Sequence, residues 1–190
     1  MISINKDTKV LILPCAVIAS GKTSLAKLLK NNFNIGHIQS DDIKAKRPAP
    51  IFVEKVMECF STEGKNIVFA DRNNHLLQHR LALSTAFKKK YPDGKILGLN
   101  WEYDQYSRDQ MKKICCERVL MRGNEHQTLT PEKTPDFERI IQMFLKQRVP
   151  LNNILNSEDS YVDVVLNLNI DNQIQQNFDL VCKALGWKYP

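Results

Sequence analysis

The stretch that most constrains this chain runs from Lys9 to Ser24. Lys9-Val-Leu-Ile-Leu-Pro14 reads as a short buried strand that breaks at Pro14. A loop follows and ends in Ala19-Ser20-Gly21-Lys22-Thr23-Ser24, after which Leu25, Leu28 and Leu29 recur at helical spacing. Strand, loop and helix start therefore fall in the order that a phosphate cradle needs. The first N–H groups of a helix lack partners within it, and that end of its dipole is positive. A phosphate docked there satisfies both. Gly21 lets the backbone approach the anion closely. Lys22 is placed to reach the β- and γ-phosphates, and the Thr23 hydroxyl to ligate Mg²⁺. The usual pattern is G-x-x-x-x-G-K-[ST], and its first Gly falls on Ala16 here. The bland alternative is a chance Gly-Lys-Thr at a helix start. The buried strand directly before it favours the phosphate loop.

Four further strands are expected, each followed by polar residues. Gly36-His-Ile38 is short and runs into Gln39-Ser-Asp41-Asp42-Ile-Lys44. Two carboxylates at the carboxyl end of a strand lie where ligands sit in open α/β sheets. Ser40 or Asp41 could also cap the next helix, and capping is compatible with catalysis. Lys46-Arg-Pro48-Ala-Pro50 should break the chain before a helix over Ile51–Phe60, whose apolar stripe reads as core. Lys65–Ala70 is a third buried strand, closing on Asp71-Arg72-Asn73-Asn74-His75. An apolar strand ending in Asp resembles a Walker-B end, where a carboxylate orders Mg²⁺ water. Five polar residues exceed what a helix cap needs.

A helix over Leu76–Lys90 precedes a strand over Lys95–Leu99 that ends in Asn100-Trp101. Trp101 reads as packing. The lysines of Phe87-Lys-Lys-Lys-Tyr91 read as a solvated helix end. A helix from Asp104 to about Met121 would carry Arg118 and Arg122 on one face, four residues apart. That pair is either a solvated stripe or a lid closing on a transferring phosphate. Arg122-Gly-Asn-Glu-His126-Gln127-Thr128 is then a polar loop. A helix from Asp136 ends at Pro150. Tyr161–Ile170 alternates as a fifth strand whose polar alternates suggest a sheet edge, and Asp171 should cap a last helix through Leu185. Strands alternating with helices predict one doubly wound α/β domain over residues 1–190: a five-stranded, mostly parallel sheet flanked by helices, with an Arg-bearing lid over about 104–134.

Composition excludes little. The chain has 190 residues and a net charge of +6, which gives moderate support to a polyanionic partner. The five cysteines show neither metal-ligand spacing nor a disulfide framework. They read as buried apolar thiols of a reducing compartment. No apolar run approaches membrane-spanning length and the first residues lack a signal-peptide pattern, so an intracellular protein, cytoplasmic or nuclear, is expected.

The phosphate loop, Asp41-Asp42, Asp71-Arg-Asn-Asn-His75 and Arg122-Gly-Asn-x-His-Gln-Thr128 together resemble the central polynucleotide kinase domain of fungal tRNA ligases, over roughly Lys9 to Ile170. The loop lacking its first Gly also fits that family. A looser similarity to phage polynucleotide kinase covers Gly21-Lys22-Thr23, Asp41-Asp42-x-Lys44 and the Arg118/Arg122 pair. The resemblance implies phosphorylation of the 5′-hydroxyl of RNA exons after tRNA splicing cuts, with GTP as the preferred donor over ATP. It implies that Ala19–Ser24, Lys22 and Thr23 above all, hold the donor phosphates and Mg²⁺. Asp41 would be the general base, with Asp42 and Asp71 near the metal. Lys44, Asp71, Arg72 and Asn73 would face the RNA acceptor. Lys44 stands where the phage-type pattern has Arg, and a point charge cannot make a bidentate phosphate contact. Arg122, with Arg118, would clamp the donor. The GTPase-type Asn-Lys-x-Asp element is absent, and Asn124, His126, Gln127 and Thr128 are expected to read the guanine. Family members carry an RNA ligase module before this domain and a cyclic phosphodiesterase module after it, neither of which fits in 190 residues. Two other readings stay open: a kinase of a small, nucleoside-like molecule, and a catalytically inactive nucleotide- or RNA-binding module.

Overall fold

The structure is a computed structural model that describes residues 5, 7–123, 129–151 and 159–188. Its sheet, among these residues, has the strand order β2-β3-β1-β4-β5, and every pairing is parallel. The strands are β1 (Val10–Cys15), β2 (Gly36–Gln39), β3 (Ile67–Asp71), β4 (Lys95–Glu102) and β5 (Val164–Asn169). Among the described residues the helices are α1 (Lys22–Asn32), α2 (Pro48–Ser61), α3 (Leu77–Lys90), α4 (Arg108–Arg122), α5 (Phe137–Gln147) and α6 (Ile174–Ala184), with a 3₁₀ turn over Ser40–Asp42.

Strand β1 is central and wholly buried, because both of its faces are covered. Val10 and Ile12 point toward α1 and α6, where Leu25, Leu29, Phe178 and Val181 complete one core. Leu11, Leu13 and Cys15 point the other way, onto Phe52, Val56 and Phe60 of α2 and Leu83 and Phe87 of α3. The period of two along β1 thus divides one apolar run between two helical layers. Gly36 lets β2 approach α2, since a Cβ there would run into Cys59 Sγ. A third cluster joins α4 and α5 to the phosphate loop itself: Met111, Cys115, Val119 and Ile141 pack on Val17 and Ile18. The loop is therefore braced by tertiary packing.

Several boundaries differ from those expected. α2 begins at Pro48, so Pro48 and Pro50 lie in its first turn, where the missing N–H groups have no helical partner to lose. Neither Ser40 nor Asp41 caps it. α4 begins at Arg108, because Ser107 and Gln110 form a reciprocal capping box that Asp104 cannot supply. α6 begins at Ile174 behind a similar box of Gln173 and Gln176. Asp171 does not cap it; its carboxylate accepts from Tyr106 Oη at 2.8 Å and Gln105 Nε2 at 3.0 Å. β4 continues through Trp101, which is fully buried as expected. β5 lies at the sheet edge. The cysteines are all free, and Cys116 alone is part-exposed.

Candidate active site

The sheet ends its central strands on one cavity of about 410 Å³. Ala19, Ser20, Gly21, Lys22, Thr23 and Ser24 line one side of it, Asp71, Arg72 and Asn73 another. Ser40 and Asp41 enter from the 3₁₀ turn after β2, and Arg122 from the end of α4. Parallel pairing causes this convergence: Gln39 is opposite Asp71, and Cys15 opposite Asn100, so neighbouring strands release their following loops at one level.

Two loop residues have left-handed backbone, Ala19 at φ 60° and Gly21 at φ 92°. A side chain at Gly21 would be strained whatever the space around it. Ala16, the departure from the usual pattern, is different. It is not a positive-φ residue, it is fully buried, and its N–H donates to the Asn73 carbonyl at 2.9 Å. A methyl group there is core packing and leaves the loop intact. Asn74 Nδ2 reinforces the same seam by donating to the Pro14 carbonyl at 3.0 Å.

Lys22 folds back over its loop, with Nζ donating to the Val17 carbonyl at 3.1 Å and Ser20 Oγ at 3.5 Å. Burial pushes its pKa down, and Arg122 adds to that, while Asp71 and Asp41 pull it back. Asp71 is 5% exposed. Burial alone would raise its pKa, but a hydrogen bond from His37, the Lys22 charge and a hydrogen bond with Thr23 together hold it below the usual value. The His37 contact is 3.0 Å, Nε2 to Oδ2. Since an ionised carboxylate can only accept, His37 Nε2 carries the proton.

Arg122 and Arg118 have separate jobs. Arg122 lines the cavity and donates to the Leu129 carbonyl at 3.1 Å; its Nε is buried without a partner among the described residues. Burial depresses its pKa against the pull of Asp41. Arg118 does not line the cavity. It donates to the Ala19 carbonyl at 3.4 Å and the Ile170 carbonyl at 3.0 Å, tying the loop to the end of β5.

Arg72 Nη2 lies 3.1 Å from His79 Nε2, and its guanidinium carbon is 5.9 Å from the Phe52 ring centroid. A guanidinium has no acceptor, so His79 Nε2 accepts and its proton is on Nδ1. Burial and Arg72 push the His79 pKa down to about 4. His75 stacks on Phe144 at 4.1 Å, and burial, then His79 and Arg72, push it down to about 4 as well.

Other expected site residues lie apart. Lys44 is exposed and outside the cavity lining. Asp42 is also exposed, takes a 3.5 Å hydrogen bond from Gln39, and is outside the lining. Asn124, His126, Gln127 and Thr128 fall outside the described residues. Sequence reasoning missed His37, whose signal was a titratable side chain on a short, part-buried strand, and Phe144 on the cavity wall.

The strand order, the loop and the opposed charges define a P-loop kinase domain. Residues 11–171 match the tRNA ligase kinase domain family, and the chain belongs to that family. It is 29% identical over 161 residues to tRNA ligase 1 of Schizosaccharomyces pombe, covering 84% of this chain and 20% of that protein. Against tRNA ligase of Candida albicans it is 26% identical over 171 residues, covering 85% and 20%. The chain thus spans about a fifth of the length of the curated relatives it matches. The crystal structure of a fungal RNA kinase superposes with a TM-score of 0.80 at 23% identity, over 95% of this chain and 87% of that one. A gluconokinase from Sinorhizobium meliloti shares the fold more distantly, with a TM-score of 0.58 at 10% identity over 96% and 94%. Among the described residues no helix is long and apolar enough to cross a membrane.

Proposed function

We propose that this domain transfers the γ-phosphate of a nucleoside triphosphate, GTP in preference to ATP, to the 5′-hydroxyl of an RNA end during tRNA splicing and repair. The observation that carries this reading is the convergence of Lys22, Asp41, Asp71 and Arg122, from four separate elements, on one cavity at the carboxyl end of the sheet. Membership in the tRNA ligase kinase domain family supports the RNA acceptor and the splicing context. The short span relative to the curated relatives supports ligase and cyclic phosphodiesterase modules as partners in longer proteins. The free cysteines fit an intracellular compartment.

Phosphoryl transfer needs mainly positioning and charge stabilisation. The loop N–H groups and Lys22 receive the donor phosphates, and Arg122 faces them from α4. Asp41 accepts the proton of the attacking hydroxyl. Thr23 and Asp71 are hard oxygen donors, one of them a buried carboxylate kept ionised, which fits Mg²⁺. A bound Mg²⁺ would neutralise charge on the donor phosphates. Gly123–Thr128 is the segment we assign to reading the guanine.

The test is label transfer from GTP or ATP, at equal concentration, to a 5′-hydroxyl oligoribonucleotide. Strong GTP preference is the expected result. Transfer without donor preference removes the guanine assignment. Tight nucleotide binding with no transfer to RNA overturns the polynucleotide kinase reading, and transfer to a nucleoside instead replaces it with a small-molecule kinase.

A further inference from the structure

A second cavity, of about 250 Å³, adjoins the first, and Ser40, Asp41 and Arg72 belong to the walls of both. The way Arg72 is held there separates it from the other arginine of its loop and helix. Arg80 is committed to Asp159, with two of its nitrogens each 2.8 Å from a carboxylate oxygen. Arg72 makes no ion pair among the described residues, and burial is what lowers its pKa. Its hydrogen-bond partner is an imidazole, His79 Nε2 at 3.1 Å. A neutral acceptor fixes the direction of a guanidinium and leaves its charge and its other N–H donors for a ligand. A carboxylate in the same place would fix it and cancel the charge.

His79 is firmly mounted. It sits in the first turn of α3, where its N–H donates to the Leu76 carbonyl at 3.1 Å. The next residue, Arg80, ties that turn down by donating to the Asn74 and Val149 carbonyls at 3.1 and 3.0 Å. The His75 ring packs edge-on against the imidazole, with centroids 5.9 Å apart and planes at 70°. To accept from Arg72, His79 carries its proton on Nδ1, and that atom is buried without a partner among the described residues. This tautomer costs an unmade hydrogen bond. A contact kept for stability alone would put the proton where it is satisfied, and local costs of this kind collect at functional sites.

We propose that His79 is a positioning residue: its neutral Nε2 aims the Arg72 guanidinium at the junction of the two cavities, where the undiminished charge meets a phosphate group. This rests on the kinase reading above. The phosphate belongs to the group in transfer or to the acceptor strand, and the guanidinium serves either by the same chemistry. His79 touches no substrate and acts only through Arg72.

The test compares His79→Leu, which removes the acceptor, with His79→Gln, whose Oε1 still accepts from Arg72. Transfer from GTP to a 5′-hydroxyl oligoribonucleotide gives kcat and the acceptor KM, fluorescent-GDP binding gives donor affinity, and thermal melting gives stability. His79→Leu should lower kcat/KM for the acceptor about tenfold, inside the roughly 10²-fold that a misplacement of about 1 Å can cost. GDP affinity should hold, and the melting temperature should hold or rise, because the unsatisfied Nδ1–H leaves with the ring. His79→Gln should recover most of the loss. In an Arg72→Ala background, measured at single turnover, His79→Leu should change the rate by no more than about twofold. If Arg72→Ala leaves no measurable rate, the contrast between Leu and Gln decides. A loss in kcat assigns the phosphate to the group in transfer, and a rise in acceptor KM assigns it to the RNA. Wild-type activity in His79→Leu, a Gln variant no better than Leu, or additive losses with Arg72→Ala overturn the proposal. A lowered melting temperature with a matching loss of GDP affinity makes His79 structural and overturns it too, as does a ¹⁵N imidazole spectrum with the proton on Nε2. A wild-type chain that transfers nothing to RNA overturns the kinase reading itself, which a variant-specific failure does not.

Discussion

The two sides of the candidate site are built differently. On the proposed donor side the charges of the loop are enclosed and answered: Lys22 by Asp71 and Asp41, Asp71 by His37, Lys22 and Thr23. The start of α1, the 3₁₀ turn, β2 and β3 carry these groups, and buried contacts from α4 and α5 brace the loop. On the proposed acceptor side Asp41 stands on a single 3₁₀ turn, and Lys44, Ala45, Lys46 and Arg47 after it are exposed. The difference fits what each side is proposed to receive. A triphosphate is a small, fixed anion, and a preorganised cradle lowers the cost of stabilising charge as it develops. A polymer end must thread in and leave, which an enclosed site would prevent.

Substitutions that cut across this contrast should separate the sides. The largest effect is expected from Asp41→Ala, with kcat lowered about 10²–10⁴-fold and donor affinity nearly unchanged. Single-turnover transfer and equilibrium GTP binding measure the two, and activity surviving within tenfold would remove Asp41 as the base. Arg122→Ala should lower kcat by about 10²–10³-fold, the range for losing one preorganised charge donor. Arg118→Ala should act instead through the loop backbone, raising GTP KM more than it lowers kcat; equal kcat losses in the two variants would erase the distinction drawn between these arginines.

His37 tests the donor side from behind. His37→Ala should raise the Mg²⁺ concentration that half-saturates fluorescent-GDP binding by about 10–100-fold, the usual penalty for freeing a ligand's supporting hydrogen bond. His37→Gln, which can still donate to Asp71, should recover part of it. An unchanged Mg²⁺ requirement with a lowered melting temperature would make His37 structural only.

The smallest effect concerns pH. His75 and His79 each fall from 6.5 to about 4 in the folded chain. The unfolded chain then binds more protons between those values, so stability is complete above about pH 6.5 and declines as pH falls toward 4. Thermal melts at neutral pH and near pH 5 should show the loss, and His75→Phe with His79→Gln should reduce it.

Some of this was legible in the chain and some was not. Gly21-Lys22-Thr23 after a buried strand is contiguous, and loop and helix start are local matters of backbone and dipole. Asp41 and Asp71 were visible because polar residues closing apolar strands stand out. Arg122 was visible as half of a helical pair and as the first residue of the polar motif Arg122–Thr128; the structure adds that Arg118 reaches Ala19 and Ile170 while Arg122 lines the cavity. The capping boxes that start α4 and α6 were present in the residue pattern, but Asp104 and Asp171 competed as caps, and side-chain geometry decided between them. The buried Arg80–Asp159 pair, at 2.8 Å across 79 residues, had no local signal at all.

By itself the sequence determined the alternation of strands and helices, the phosphate loop and the carboxylates at the strand ends, because these depend on neighbours within one turn or one strand. Only the tertiary structure decided that His37 meets Asp71, and that α4 delivers one arginine to the cavity and commits the other to the loop. Those outcomes depend on the strand order β2-β3-β1-β4-β5, which brings residues tens of positions apart to one edge of the sheet. Such an order is selected by burial on both faces of β1, a property of the packed whole.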